Sequence, residues 1–392
     1  MKKNKSKQKK NNLEIQKIKE VSIINKIIIE KDNLLNNIKV IKERAQNSRI
    51  IAVLKGNAYG VGNNILPGIL IEQGINTFAV TEVQEAVQLR NLGIYNEILV
   101  LNSTCVKEEV FQIVLNDFIA TIGSYESLDA LIKECSMQNK TIKAHIKIDT
   151  GFSRFGFDAN KLLTDEGLAD FVAKMQSQDC VEISGAYTHF QESYSNDPKR
   201  TIEQFNLFTK VTQRLKDNGF DLMCHCSNSC ALFKYPQMNL DAVRVGSAFS
   251  GKLQIKENTG LKRVGYLETQ ICEIRNLKKG ARIGYSGTAT LKQDTKVGIC
   301  EVGYADGMFV NGPKDECRLI DKLRNIKHAL CALIEDKNRY VYLNNKKVKI
   351  LGRIGMKNFV IDLSNVDGHV GDRIKIEINL VLSNQLIPRE LY

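Results

Sequence analysis

From Ile50 to Val245 the chain repeats one pattern eight times: a short run of β-branched and other apolar residues, a turn rich in Gly or Asn, then a longer amphipathic stretch. The runs begin near Ile50, Ile75, Glu97, Ile119, Ala144, Glu182, Leu222 and Ala242, and helix-like spacing occupies 82–91, 125–140, 161–178 and 201–218. Alternating strand and helix requires parallel strands joined by crossovers, and eight units close a (β/α)8 TIM-type barrel; a doubly wound open sheet is the alternative. A β-branched run at 23–30 and a helix-like stretch at 33–47 precede the first unit. Past Gly260, strand-like runs at 261–275, 297–302, 340–344, 348–354 and 358–363 are divided by Gly, Asn and Lys turns, with helical periodicity confined to 314–327. The expected organisation is α/β: a basic disordered tail over 1–20, the barrel over 21–258, and a mainly β C-terminal domain over 259–392.

In such a barrel the chemistry gathers at the C-terminal ends of the strands. Lys55 closes the first run in I-I-A-V-L-K-G-N-A-Y-G-V-G. An ammonium at the mouth of a buried apolar layer is poorly solvated, which frees its amine as a nucleophile or Schiff-base partner; a lysine that snorkels to solvent is the plainer reading. Arg154 follows the fifth run in K-I-D-T-G-F-S-R-F-G-F, and His189 ends the sixth in G-A-Y-T-H-F. Asn228 and Ser229 follow the seventh, and Arg244, Gly246 and Ser247 end the eighth in V-R-V-G-S. Taken singly, each arginine reads as an ion pair and His189 as a core histidine. Together they fall at one end of the barrel.

Composition narrows the class. No apolar run approaches a membrane span, and the start M-K-K-N-K-S-K-Q-K-K lacks the apolar core of a secretory signal, so a soluble cytoplasmic protein without membrane contact is expected. Six lysines in those ten residues supply half of the net charge of +12, which reads as a solvated run and not a nucleic-acid arm. Ten cysteines at scattered spacings point to reduced thiols. Cys224, His225, Cys226 and Cys230 form C-H-C-x3-C without a second knuckle, so no metal is expected.

The segment A-V-L-K-G-N-A-Y-G-V-G resembles the cofactor-lysine motif of alanine racemases, which use pyridoxal phosphate. I-G-Y-S-G-T at 283–288 resembles their tyrosine motif, and the resemblance runs from about Ile24 to Tyr392. It implies that Lys55 carries the cofactor and acts as base on one face, and that Tyr285, reaching into the neighbouring subunit of a homodimer with shared sites, is the base on the other. Two bases on opposite faces are what racemisation needs. A free tyrosine titrates near 10, about three units too high, and the resemblance gives it help from His189, itself held by Arg244. In the same way Arg154 and the backbone of Met356 bind the substrate carboxylate, and Lys147, carbamylated in some members, fixes Arg154. Tyr59, Ser229, Gly246 and Ser247 hold the phosphate, with Asn228 beside them, and Tyr304 of G-Y-A-D-G supports the site.

Three departures stand out. Gly355 and Lys357 in G-R-I-G-M-K-N replace the family's cysteine and aspartate, and Val310 replaces an arginine, so an Arg–Asp pair is lost. After G-D-R-I-K-I-E the chain passes directly to I-N-L-V-L-S, without a stretch that carries a tyrosine over the alanine pocket. That end resembles serine racemases of vancomycin-resistance clusters, with Asn379 in the tyrosine's place. The implied activity is racemisation of L-alanine to D-alanine for peptidoglycan; a serine or broader racemase is the alternative, and a non-catalytic pyridoxal-phosphate-binding paralogue the weaker one. Basic amino-acid decarboxylases on a related barrel need a glycine-rich phosphate loop and an acidic partner for the pyridine, where this chain offers Arg244.

Overall fold

The computed structural model describes residues 24–312, 317–334 and 339–392, and divides into two compact units. One is contiguous, residues 30–264; the other joins residues up to Ile29 with Gly265–Tyr392.

The contiguous unit is a (β/α)8 barrel. Its strands are Arg49–Val53, Thr77–Val80, Glu97–Val100, Ala120–Ile122, Ile142–Asp149, Val181–Tyr187, Met223–His225 and Ala242–Val245. All their pairings are parallel, with Ala242–Val245 beside Arg49–Val53, and the ring closes where Leu99 bridges Ile119. Runs such as F-A-V and I-L-V are buried on both faces, as parallel strands under helices must be. Ile51, Val53, Ala79, Leu99, Ile119 and Ala242 pack together inside. At the opposite, N-terminal face Glu97 accepts from Arg49 (2.7 Å) and Lys143 (3.2 Å). The helix Lys31–Ala45 buries Leu34, Ile38 and Ile41. The helical stretch expected at 161–178 is two helices, Ala159–Leu162 and Asp165–Gln176, because the Thr164 side chain accepts from Gly167 N–H and starts a new N-terminus.

The second unit is an eight-stranded sheet in which Gly265–Leu277 pairs with Arg373–Ile376 and Lys26–Ile29 near its start and with Thr295–Cys300 near its end. A bulge between Ile271 and Glu273 lets this long strand turn from one set of partners to the other. The division differs from the expected boundaries at 21 and 258. The run at 23–30 does not open the barrel: Lys26–Ile29 lies antiparallel to Gly265–Leu277 and parallel to Arg389–Leu391, which buries Ile27, Ile28 and Ile29. Arg373–Ile376 and Arg389–Leu391, short strands in charged sequence, were not expected from the apolar pattern. The helix Leu319–Ile334 accounts for the periodicity near 314–327, of which 314–316 lie outside the described residues.

Candidate active site

Lys55 leaves the first barrel strand into a turn in which Gly56, Asn57, Ala58 and Tyr59 all have left-handed backbone, φ 61°, 54°, 53° and 53°. For Ala and Tyr this conformation costs roughly 1–2 kcal/mol per residue, so the surroundings must impose it. They do so with hydrogen bonds. Ala58 N–H donates to Leu54 O (2.7 Å), Asn63 N–H to Asn57 Oδ1 (2.7 Å), and Gly56 N–H to Glu85 Oε1 (2.7 Å). The turn sets Lys55 at the rim, where the surrounding wall, then the Arg154 guanidinium, lower its pKa, while Glu85 opposes them.

Tyr59 projects back toward Gly246, just after the eighth strand. A Cβ on Gly246 would lie 2.3 Å from Tyr59 Cε2, so only glycine fits. Gly246 N–H donates to Ser229 Oγ (3.0 Å), and Asn228 Oδ1 accepts from Cys230 and Ala231 N–H (both 3.0 Å) and from Ser193 Oγ (2.9 Å). Burial, then Glu85, raise the Tyr59 phenol to about 12, so it remains a hydrogen-bond donor.

Beneath this cradle the floor is basic. Arg244 is buried and donates to His225 Nδ1 (2.7 Å), to the carbonyls of His225 (2.8 Å) and Cys226 (3.3 Å), and to Thr188 O (2.6 Å). His225 Nε2 meets His145 Nδ1 at 2.9 Å. The Tyr187 ring stacks on His225 and carries two basic groups, Lys147 Nζ at 4.4 Å and the Arg244 guanidinium at 5.0 Å from its centroid. Its hydroxyl donates to Leu101 O (2.8 Å). Burial, then Arg244, hold Lys147 well below the usual lysine range, and the same two causes hold the His189 and His225 imidazoles low. His189 packs edge-on against Phe152, whose other contact is the Arg154 guanidinium at 4.6 Å. The cavity over these groups measures about 250 Å³ and is lined by Lys55, Tyr59, Lys147, Arg154, His189, Asn228, Ser229, Arg244, Gly246 and Ser247, with no carboxylate among its lining residues.

The expected residues of the second unit also converge among themselves. Tyr304 N–H donates to Gly355 O (3.1 Å) and Ala305 N–H to Met356 O (3.2 Å), an approach so close that a Cβ on Gly303 would lie 2.2 Å from Gly355 O. The turn at 379–383, which begins at Asn379, packs on the same segment: a Cβ on Gly307 would lie 2.7 Å from Ser383 Cα. Lys357 is not simply a lost aspartate. Its Nζ pairs with buried Asp306 at 2.6 Å, and that carboxylate also accepts from Gly303 N–H (3.0 Å). Tyr285 stands 68% exposed on a one-turn helix, Tyr285–Gly287, with Ser286 left-handed (φ 62°).

Two family models match the chain: alanine racemase, N-terminal domain, over residues 29–254, and alanine racemase, C-terminal domain, over 264–381. The alanine racemase of Methanococcus maripaludis is 30% identical over 355 residues, 89% of this chain and 87% of the relative. The chain belongs to the alanine racemase family. Its fold matches the solved alanine racemase of Clostridium difficile 630 with TM-score 0.81 at 23% identity, covering 95% of this chain and 97% of the other. It also matches that of Bartonella henselae, solved with covalently bound pyridoxal phosphate, with TM-score 0.74 at 22% identity over 94% and 99%.

Pyridoxal phosphate fits the residues of this racemase-family barrel. A phosphate brings two negative charges and a substrate carboxylate a third, and the cavity answers with two arginines, two lysines of lowered pKa and a cradle that excludes any Cβ at position 246. One pairing differs from expectation. Arg244 hydrogen-bonds the ring of His225 and not that of His189, because His225 sits on the neighbouring strand with its Nδ1 facing the guanidinium. His145, Tyr187 and Thr188 gave no sequence signal, since each acts across strands. His225 was noticed only as part of a cysteine cluster, and among the described residues no group of His, Cys, Asp and Glu could hold a metal.

Proposed function

We propose that this chain is a pyridoxal-phosphate-dependent alanine racemase that acts as a cytoplasmic homodimer and supplies D-alanine for peptidoglycan. The observation that carries the reading is the cavity lined by two arginines and two lysines and no carboxylate, with Lys55 of lowered pKa at its rim. When bound, pyridoxal phosphate supplies an electron-withdrawing ring that acidifies the α-proton of the attached amino acid. Tyr59, Ser229, Gly246 and Ser247 hold its phosphate, with Asn228 fixing the turn they share. Lys55 anchors the cofactor and, with its pKa lowered by burial and by Arg154, takes or returns the proton on one face. Tyr285 of the partner subunit serves the other face. His189, kept neutral by burial and by Arg244, is a proton acceptor for that phenol. Arg154 forks toward the substrate carboxylate, assisted by the Met356 backbone. Arg244 faces the pyridine side with a guanidinium that gives up no proton, which keeps electron withdrawal moderate and restrains side reactions. Tyr304 braces the turn that carries Met356 through the bond to Gly355 O.

A coupled assay of purified holoprotein with L-alanine and L-serine tests the reading. D-alanine should form faster; neither D-product, from protein with normal bound-cofactor absorbance, would overturn it. Tyr285→Phe should reduce racemisation by roughly 10²–10⁴-fold while leaving that absorbance intact. Unchanged turnover would sink the two-base assignment. Half-buried Asn379 favours serine as the second reading, because it adds a polar group at the start of the turn whose Leu382 and Ser383 pack on Gly307; faster serine turnover would make it the residue to mutate.

A further inference from the structure

The helix Leu319–Ile334 is exposed along most of its described length, its apolar positions included. Leu319, Ile320, Leu323, Ile326 and Leu330 are 56–73% exposed, whereas the Asp321 side chain is 2% exposed and paired with Arg318 and Arg324. At about 100° per residue the five apolar positions share one arc, flanked by Lys322 on one side and Arg324 on the other, with Lys327 inside the arc beside Ile320. Scattered exposed leucines are ordinary, but five in one stripe mark a surface meant to be covered. Long basic side chains beside an apolar stripe can rest their stems on hydrocarbon while their charges reach phosphate. The lysine-rich start of the chain leads into strand Lys26–Ile29, which belongs to the same β unit as this helix.

We propose that the β unit docks on anionic phospholipid surfaces, with helix Leu319–Ile334 lying in the headgroup plane, its stripe in the acyl boundary and its basic edges on lipid phosphates. The six lysines at the start of the chain add a second, purely electrostatic contact. One weak signal holds a protein only transiently, and two in combination hold it stably. Each basic residue near an anionic surface strengthens binding about fivefold at physiological salt. A second copy of the chain suits the face less well. The stripe from Leu319 to Leu330 is about 17 Å long and one helix wide, far below the roughly 800 Å² per partner of a stable interface, and Lys322 at its edge and Lys327 within it would be buried. The proposal departs from the expected lack of membrane contact without invoking a span: among the described residues no helix is long and apolar enough to cross a membrane.

The test is co-sedimentation of the full-length holoprotein with vesicles of phosphatidylcholine alone or of equal parts phosphatidylcholine and phosphatidylglycerol. Binding should require the anionic lipid and weaken as salt is raised. Leu323→Glu with Ile326→Glu, both exposed and outside the proposed active site, should lower it about tenfold or more without changing racemase activity, and removal of residues 1–20 should weaken binding further. Failure to bind the anionic vesicles overturns the proposal. So does binding that the double variant retains and only the truncation abolishes, because the lysine run would then act alone. A change in oligomeric mass of the double variant, without lipid binding by the parent, would assign the face to a second copy and equally overturn it.

Discussion

Gly246→Ala tests the cradle directly. The new Cβ would stand 2.3, 2.7 and 2.8 Å from Cε2, Cζ and the hydroxyl of Tyr59, so the ring must withdraw by about 1 Å to reach ordinary contact. It has little freedom, since Tyr59 itself is left-handed and ends the four-residue turn after Lys55. Such overpacking costs roughly 1–3 kcal/mol and should lower the melting temperature of the cofactor-free protein by about 2–10 °C. If the phenol donates to the cofactor phosphate, the displacement forfeits a charge-assisted bond of roughly 1.5–3 kcal/mol, and the cofactor Kd should rise about 10–100-fold. The assay is titration of apoprotein with pyridoxal phosphate, read by absorbance of the bound form. Tyr59→Phe alone should show a comparable loss of affinity. In that background Gly246→Ala should add less than about threefold, because the bond it would break is already gone. Fully additive losses would refute the reasoning and assign Gly246 a role of its own through its backbone N–H.

Acid should weaken the barrel through its buried imidazoles. Burial pushes His145 from 6.5 down to about 4, so between those values the unfolded chain binds a proton that the folded chain refuses. Stability contributed by the neutral ring is therefore present above pH 6.5 and is lost as pH falls toward 4, by about 3 kcal/mol for this group alone. Thermal melts across that window should show it, and His145→Gln should flatten the slope. Lys147 sits buried among Arg154, Arg244 and the Tyr187 ring, with only Asp149 opposing the positive field. Its amine, shifted toward the neutral form, should add to dissolved carbon dioxide with release of one proton to give a carbamate that pairs with Arg154; labelled bicarbonate should yield a carbamate carbon resonance in the parent protein and none in Lys147→Ala.

What the amino-acid order revealed and what it concealed have separate physical causes. The barrel was legible because parallel strands buried on both faces leave continuous β-branched runs, and because Lys55, Arg154, Ser229 and Gly246 each sit next to such a run in the chain. The floor of the site was not legible. His145 and His225 meet across 80 residues, and Tyr187 bonds Leu101 across 86, so neither contact leaves a local pattern. Lys357 illustrates the same limit from the other side. It looked like the loss of an aspartate, yet it closes an ion pair with Asp306, which lies 51 residues earlier. Arg389–Leu391, at the sheet edge, carries two charges and no apolar alternation, whereas Arg373–Ile376 is an inner strand that does alternate, burying Ile374 and Ile376, but over four residues only.

The placement of Lys26–Ile29 bears on how the protein is born. Gly265 follows Ile29 by 236 positions, so at about 5–20 residues per second a ribosome leaves the isoleucine run without its antiparallel neighbour for roughly ten to fifty seconds. The barrel, continuous in the chain, can close in that interval. The other neighbour, Arg389–Leu391, emerges later still. An unpaired strand of three isoleucines is adhesive, and nascent chains that carry one are natural clients for chaperones. The earliest described strand of the polypeptide is thus among the last to be paired, and loss of Arg389–Leu391 would strip a neighbour from it.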